Sequence, residues 1–289
     1  MSPEGVHHVT AITADAPGNV DFYVRALGLR MVKKTVNFDA PDVYHLYYGD
    51  ERGTPGSIMT FFEFPGVGRG RAGDGMIHRI LWRVGSEDAL EFWADRLGSA
   101  PVFSDPEGLE HELVVEAGDA PLTAAADDIP AEFAIRGFHG VRAYAGRPAR
   151  SADVLAATGF VPEGNGAWRL SGEQRHGYYF QDPPPDEPGL QGAGTVHHVA
   201  WSAADDGELE TMREKLRAAG AHPTPIVDRQ YFHSVYYREP GFVLFELATR
   251  DIGFDIDEPL ESLGHDLKLP PQHEHLRARL EQTLTPLPA

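Results

Sequence analysis

The stretch Val196-His197-His198-Val199-Ala200 repeats Val6-His7-His8-Val9-Thr10, near the other end of the chain, almost letter for letter. Each copy closely follows a glycine, Gly5 or Gly194, and an amphipathic helical pattern comes about a dozen residues later. A strand and a helix that are used twice are typical of a fold built from repeated modules. The repeat therefore guides the interpretation of the whole chain.

Two weaker copies of this unit lie between the strong ones. Ile77-His78-Arg79-Ile80-Leu81-Trp82 precedes a helical pattern at residues 86–97, and Phe138-His139-Gly140-Val141-Arg142-Ala143 precedes another at 150–158. Runs rich in β-branched and aromatic residues follow the first helix and are separated by turn formers, which gives the order βαβββ. The prediction is an α+β chain of four such modules, at residues 1–66, 76–117, 137–182 and 194–250, followed by a C-terminal extension at 251–289.

The composition limits the partners. With 289 residues, of which 42% are hydrophobic, the chain is long enough for a sizeable core. A formal net charge of −19 argues against nucleic acid and against an anionic membrane surface, which an acidic protein would repel. The chain has no cysteine, so any metal would need histidine and carboxylate ligands. No apolar run approaches the roughly 20 residues of a membrane span, and the first strand begins too early to leave room for a signal segment. A cytoplasmic location is the default expectation.

The repeated histidines indicate a metal site when they are combined with one carboxylate. Successive side chains of a strand alternate between its faces, so His8 and Thr10 share one face, as do the corresponding residues of the second copy. The run Gly241 to Ala248 places Glu246 among apolar neighbours, where a lone charge would cost several kcal/mol. A metal ion is an economical partner for this carboxylate. Two imidazoles and one carboxylate on three strands form the facial arrangement that leaves positions open on iron(II).

Some polar and aromatic side chains of these strands could serve the structure rather than a metal. An arginine could satisfy Glu246 in place of a metal ion. A lone histidine in a strand is usually a hydrogen-bonded structural residue, and this is the expectation for His78 and His139. The aromatic pairs Tyr47-Tyr48 and Phe61-Phe62 are expected in the core.

At this point the chain resembles a known family. The βαβββ modules with His8, His198 and Glu246 are similar to the vicinal oxygen chelate superfamily of glyoxalases, bleomycin-resistance proteins and extradiol dioxygenases. Within it, the chain looks like the ring-cleaving dioxygenases that open hydroquinones, and the resemblance covers essentially the whole chain. The stretches that carry it most specifically are Gly5 to Thr13, Asn19 to Tyr23, Leu27 to Arg30, Val32 to Phe38 and Tyr44 to Asp50.

The resemblance implies a fold and a set of functional residues. The four modules would form two half-closed, eight-stranded mixed barrels, one from modules one and four and the other from modules two and three. Iron(II), with manganese(II) as the second choice, would be held in the first barrel by His8, His198 and Glu246. The residues expected around the metal are His7, Thr10, His197, Arg229 and Tyr236.

The implied reaction opens the ring of a substituted hydroquinone with dioxygen, and the family is compatible with a homo-oligomer. Because a hydroquinone lacks adjacent hydroxyls, it would bind the metal through one oxygen. Arg229 and Tyr236 could bind and polarise the phenolic oxygen, and Tyr236 lies in the strand before Glu246, where a phenol can steer proton transfer. His7 and His197 begin on the opposite strand face, so a role at the metal needs a twist or a bulge, and otherwise they are structural.

Two alternative functions stay open. A glyoxalase-like isomerase or lyase would use a fourth protein ligand, and Glu63 in the final strand of the first module is the candidate. If the strands are aligned by their preceding glycines, Phe61 rather than Glu63 matches Glu246, so Glu63 is expected near the strand end and solvated. The second alternative is a non-catalytic protein that binds an aromatic compound in the same cavity.

Overall fold

The computed structural model describes residues 3–288, and its strands form two mixed sheets. The strands are β1 Glu4–Thr13, β2 Arg30–Asn37, β3 Ala40–Gly49, β4 Ile58–Glu63, β5 Ile77–Val84, β6 Val102–Ser104, β7 Glu110–Val115, β8 Phe138–Tyr144, β9 Val161–Gly164, β10 Ala167–Ser171, β11 His176–Asp182, β12 Val196–Ala203, β13 Val227–Asp228, β14 His233–Arg238 and β15 Leu244–Thr249. The helices are α1 Ala16–Val20, which continues as a π-helical turn Asp21–Ala26, α2 Glu87–Leu97, α3 Ala152–Thr158, α4 Asp206–Ala218 and α5 Arg277–Thr283. None of the described helices combines the length and the apolar character that a membrane crossing requires.

The first sheet brings the two ends of the chain together. Its order is β13-β14-β15-β12-β1-β4-β3-β2, and it curls into a half-barrel. Strands β1 and β12 pair antiparallel at its centre, with Thr10 opposite His198 and His8 opposite Ala200. Parallel pairing then adds β4 to β1 and β15 to β12. The two copies of the His-His stretch are therefore neighbours, and the predicted α+β class is confirmed.

The second sheet has the order β6-β7-β5-β8-β11-β10-β9. We predicted eight strands for it, and the described residues form seven. Between α2 and the connecting segment at residues 118–130 the chain has only residues 98–117, which form the short β6 and β7. Pro101 and Pro106 within them cannot donate to a strand ladder. The boundaries of the four modules stay a prediction, since the sheets do not separate the chain into such units.

The two sheets are joined through an aromatic core. Trp201 and Phe245 of the first sheet pack against Phe160, whose ring lies 4.7 Å from that of Trp201, and against Tyr179, whose ring lies 5.1 Å from that of Phe245. All four side chains are buried. This core occupies one face of β12 and β15, so residues of these strands with the opposite parity lie on the concave face of the half-barrel.

The C-terminal extension is anchored to the first sheet by one buried ion cluster. Lys33 on β2 has no exposed surface, and its Nζ lies 2.7 Å from an oxygen of Asp257 and 2.8 Å from one of Glu258. Tyr231 donates to Asp257, and its ring lies beneath the Lys33 ammonium, 5.1 Å from it. Removing one member of such a cluster leaves the others buried and uncompensated.

We therefore expect Lys33→Met to lower the free energy of unfolding by about 3 kcal/mol, measured by urea denaturation. Lys34→Met is the matched control, because Lys34 is the next residue of the same strand, points to the other face and is only partly buried. Its effect is expected to stay below about 1 kcal/mol. Equal losses in the two variants would show that the cluster does not anchor the extension.

Candidate metal centre and active site

Three buried side chains converge on one point of the concave face. The Nε2 atoms of His8 and His198 are 3.2 Å apart, and Oε2 of Glu246 lies 3.3 Å from the first and 2.9 Å from the second. The strands β1, β12 and β15 that carry them are adjacent in the sheet. This is the only group of histidine, cysteine and acidic residues in the described chain that could hold a metal ion through three or more ligands.

The proton positions on His7 and His8 show which atoms face this point. Burial, together with His8, lowers the pKa of His7 to about 3, so His7 is neutral and carries one N–H. Its Nε2 lies 3.0 Å from the carbonyl oxygen of Thr249, which can only accept, so the proton is on Nε2. Nδ1 of His7 then accepts from Nδ1 of His8, 2.9 Å away. Nε2 of His8 is left with a bare lone pair directed at the centre.

These atoms fit a metal ion. Ligand atoms about 2.1 Å from a metal are about 3.0 Å apart at cis octahedral positions and about 3.4 Å apart in a tetrahedron, and the three separations fall in this range. Oε2 of Glu246 is buried and accepts no hydrogen bond from the described residues. Burial opposes ionisation of Glu246, yet the adjacent His8 and His198 hold the pKa of its carboxyl well below its usual range. An ionised carboxylate beside two imidazole nitrogens is the ligand set that suits a metal ion.

The flanking histidines reach the site through bulges. The register of β1 and β12 shifts between Val6 and His8, and a second shift passes over His197. His197 then lies beside His198 as His7 lies beside His8, with their Nδ1 atoms 2.8 Å apart. A hydrogen bond to the second nitrogen of a ligating imidazole sets its tautomer and orientation. The bulges that a role at the metal requires are therefore present, although alternation alone would have put both residues on the opposite face.

Serine and tyrosine residues of β14 surround the carboxylate. Ser234 donates to Oε1 of Glu246 at 2.5 Å, which satisfies the oxygen that does not face the two histidines. Tyr236 is opposite Glu246 in the register and packs edge-on against His198, 5.9 Å between ring centres. Nε of Arg229 donates to the Tyr236 hydroxyl at 3.1 Å, and its Nη1 lies 3.2 Å from Asp39. Burial, followed by the charge of Glu246, raises the pKa of Tyr236, so it stays a phenol at neutral pH.

A cavity of about 250 Å³ lies against this group. Every residue predicted for the site lines it except His7 and Glu246, which lie behind the other ligand candidates. A larger groove, of about 1020 Å³, runs between the first helix, residues 125–128 and the C-terminal extension and contains none of the predicted residues. The smaller cavity is therefore the candidate active site. Its lining is His8, Thr10, Asn37, Phe38, Asp39, His45, Tyr47, Phe62, Phe64, His197, His198, Arg229, Phe232 and Tyr236.

Several lining residues were missed or misplaced by prediction from the sequence. Tyr47, Tyr48 and Phe61 are buried core residues as expected, and Tyr47 also lines the cavity, whereas Phe62 is only partly buried and lines it. His45 was not singled out, although it shares a strand face with Tyr47 and contacts it. Strand alternation, applied to β3 as it was to β1, groups His45 with Tyr47 and would have suggested both.

The expectations for Glu63 need two corrections. Its side chain is buried rather than solvated, because the start of α1 covers the end of β4 and the backbone N–H of Ala16 donates to it. The register also shows which residue corresponds to Glu246. Glu246 is paired with Ala200, two residues after His198, and the residue paired with Thr10, two after His8, is Thr60 rather than Phe61. Glu63 lies further along the same strand and is not part of the metal-binding group.

The second sheet shows what the same positions become without a metal site. The position of His8 is taken by Arg79, whose Nη1 lies 2.9 Å from Glu112 on β7, and the position of His198 is taken by Gly140. The guanidinium of Arg79 thus neutralises the Glu112 carboxylate in this sheet, where a metal ion would do so for Glu246 in the first sheet. His78 bonds to Asp182 and His139 bonds to Glu116, so both are hydrogen-bonded residues outside the metal centre.

Comparisons with known proteins agree with this geometry. The sequence pattern of the glyoxalase/bleomycin resistance protein/dioxygenase superfamily matches residues 5–107. A Bacillus subtilis (strain 168) protein named ring-cleaving dioxygenase MhqO is 38% identical, over 98% of this chain and 96% of that protein. The chlorohydroquinone/hydroquinone 1,2-dioxygenase of Sphingobium indicum is 32% identical, over 97% of this chain and 96% of that enzyme.

A solved structure is also close to this one. The crystal structure of a protein described as a dioxygenase, from Bacillus subtilis subsp. subtilis str. 168, superposes with a TM-score of 0.92 at 38% identity, covering 99% of this chain and 98% of that one. The similarity therefore extends over both sheets and the C-terminal extension.

Proposed function

We propose, from the premise that this chain belongs to the glyoxalase/bleomycin resistance protein/dioxygenase superfamily and is a ring-cleaving dioxygenase, that it opens substituted hydroquinones and uses iron(II). The observation that carries the proposal is the convergence of His8 Nε2, His198 Nε2 and Glu246 Oε2 beside a cavity. Two imidazoles and one carboxylate on one side of a metal leave the other side free for substrate and dioxygen. A relative whose name states a hydroquinone substrate supports the choice of ring.

The metal and the protein would have separate tasks. Iron(II), when bound, supplies the one-electron chemistry that dioxygen requires, and manganese(II) is the second candidate for the same ligands. His7 and His197 hold the tautomers of His8 and His198 through their Nδ1 atoms. His7 thereby keeps the Nε2 lone pair of His8 available without a further proton transfer, and His197 is placed to do the same for His198.

The cavity wall suits a substrate with one ionised phenolic oxygen. Tyr236 stays protonated and can donate a hydrogen bond, and Arg229 adds a permanent positive charge beside it. Phe62 and Phe232 supply apolar surface for an aromatic ring. Water is kept from the ring by this lining, and the charge on the oxygen is offset where it forms.

The test is oxygen uptake by the iron(II)-loaded chain against a panel of hydroquinones and catechols. We expect hydroquinones to be consumed with about one dioxygen per ring opened, and catechols to react much more slowly. The product should contain both oxygen atoms of labelled dioxygen. Ring opening without oxygen uptake would contradict the proposal.

Two rival functions predict different results in the same experiment. A glyoxalase-like isomerase or lyase would transform its substrate without consuming oxygen. A non-catalytic aromatic-binding protein would take up no stoichiometric metal on reconstitution and would release its ligand unchanged. The three converging ligands favour a metal enzyme over the non-catalytic binding protein. Thr60, rather than a carboxylate, occupies the position equivalent to Glu246, which favours the dioxygenase over the four-ligand glyoxalase-like enzyme.

A further inference from the structure

Four side chains form a hydrogen-bonded series along the cavity wall from β3 to β1. The hydroxyl of Tyr47 lies 2.9 Å from Nδ1 of His45, and Nε2 of His45 lies 2.8 Å from Oγ1 of Thr60. Oγ1 of Thr60 in turn lies 2.9 Å from Oγ1 of Thr10. Thr10 is two residues from His8 on the same strand face and lines the cavity.

The donor-to-acceptor direction of this series follows from the contacts of Tyr47, its first member. Tyr47 is buried, and its hydroxyl has one hydrogen-bond partner within residues 3–288, Nδ1 of His45. Burial raises the pKa of Tyr47 well above its usual value, so it keeps its proton and donates it to Nδ1. Neutral His45 must then carry its own proton on Nε2 and donate to Thr60. Burial lowers the pKa of His45 well below its usual value, which agrees with the neutral ring.

The same reasoning extends to the two threonines. Oγ1 of Thr60 accepts from His45, so its own proton is free to be donated to Oγ1 of Thr10, its other partner. The proton of Thr10 is then free to point into the cavity. Each donor in the series thus faces the next acceptor, and the series ends with the O–H group of Thr10 beside the metal centre.

The position of Thr60 in the sheet distinguishes this half of the site from the half that carries Glu246. In the sheet register Thr60 is the counterpart of Glu246 in the other half of the sheet. A carboxylate at this position would add a second anionic group and a fourth metal-ligating side chain to the metal-binding site. A threonine hydroxyl between His45 and Thr10 instead accepts a hydrogen bond from His45 and donates one to Thr10.

We propose that Tyr47 and His45 act through Thr60 as positioning residues that make the hydroxyl of Thr10 a hydrogen-bond donor to an ionised phenolic oxygen in the cavity. This inference rests on the proposed function, because it needs a phenolic ligand. A donor directed at an anionic oxygen strengthens binding of the phenolate over the phenol. Arg229 follows β13 and Tyr236 lies on β14, on one side of the metal-binding strands. The series from Tyr47 crosses β3 and β4 and reaches Thr10 on β1, so it adds a contact from the opposite side of the site.

The first test is anaerobic binding of hydroquinone to the metal-loaded chain by calorimetry, together with the split between KM and kcat. Thr60→Val keeps the shape of the side chain and breaks the series, and we expect Kd to rise by about 10-fold or more. Thr60→Ser keeps a hydroxyl and is expected to restore most of the affinity. Tyr47→Phe should weaken binding in the same direction, whereas Tyr48→Phe, the neighbouring buried tyrosine bonded to Asn19 on the other face, should not.

The second test needs no substrate. Nitrogen-15 NMR of the zinc(II)-loaded chain distinguishes the two imidazole tautomers, and we expect His45 to carry its proton on Nε2 and to lose that preference in Tyr47→Phe. An Nδ1 proton in the unmodified chain would overturn the inference, as would wild-type hydroquinone affinity in Thr60→Val. If the iron(II)-loaded protein consumes no oxygen with any hydroquinone, the proposed function is wrong. The tautomer of His45 would still decide whether the directed series of hydrogen bonds exists.

Discussion

Replacing Glu246 with alanine is expected to remove iron(II) from the protein and to abolish oxygen uptake, and His8→Ala and His198→Ala are expected to do the same. Each change deletes one of three ligand atoms that converge within 3.3 Å of one another. Changing residues that merely orient metal ligands costs about 10- to 100-fold in affinity, so deleting a ligand is expected to cost at least about 100-fold. Iron content after gel filtration and oxygen uptake are the measurements.

Two controls separate loss of the metal from loss of the fold. The far-ultraviolet spectrum of the metal-free variants should match that of the metal-free parent and their unfolding should stay cooperative, because the aromatic core between the sheets does not include the three ligands. Glu63→Gln changes a buried carboxylate in the equivalent strand and is expected to keep its iron. Full iron occupancy in Glu246→Ala would assign the carboxylate ligand to another residue.

The two histidine candidates for metal binding could be predicted from the sequence because the same strand pattern occurs twice in the chain. A site between two copies of one strand requires similar residues in both, so the repeat itself exposed His8 and His198. Glu246 was visible because a carboxylate in an apolar strand needs a partner. Both inferences depend on local pattern and on charge, which the sequence contains directly.

Other parts of the site depend on tertiary geometry. The bulges that turn His7 and His197 toward the metal centre arise from how β1 and β12 pair, and alternation cannot show them. The burial of Glu63 is caused by α1, which covers its strand end. Alternation in β3 separates Tyr47 from Tyr48, but which of the two faces the cavity is decided by how β3 and β4 pair in the sheet.

The cavity combines groups from both halves of the curled sheet. Arg229 and Tyr236 come from the end of the chain, and the series from Tyr47 to Thr10 comes from its beginning. Arg229 and Tyr236 lie on the β15 side of the metal-binding strands, and the series reaches the site from the other side, through β3 and β4 to Thr10 on β1. A phenolic oxygen at the metal could therefore receive a hydrogen bond from either side, which would hold the ring in one orientation although the metal binds a single oxygen.

Arg229→Ala and Tyr236→Phe are expected to keep nearly all of their iron and to lose about 100-fold or more in kcat/KM with hydroquinone. The hydroxyl of Tyr236 and the guanidinium of Arg229 are 3.1 Å apart, and neither belongs to the metal-binding group. Removing one donor that is aimed at developing negative charge costs about 100- to 1,000-fold in other enzymes. Iron content and steady-state oxygen uptake on the same preparations give both quantities.

Matched variants make the assignment of these two residues specific. Tyr237→Phe changes the next residue of the same strand, whose hydroxyl bonds to Thr158 on the other face, and is expected to keep activity. Arg229→Lys keeps the charge but not the planar donor, so it should recover only part of the loss. Because both groups bind an ionised oxygen, their loss should weaken binding of hydroquinone more than binding of a benzene ring that carries no hydroxyl. Normal turnover by Arg229→Ala and Tyr236→Phe with saturating hydroquinone would contradict their role at the substrate, and a parallel loss of iron would move them into the support of the metal.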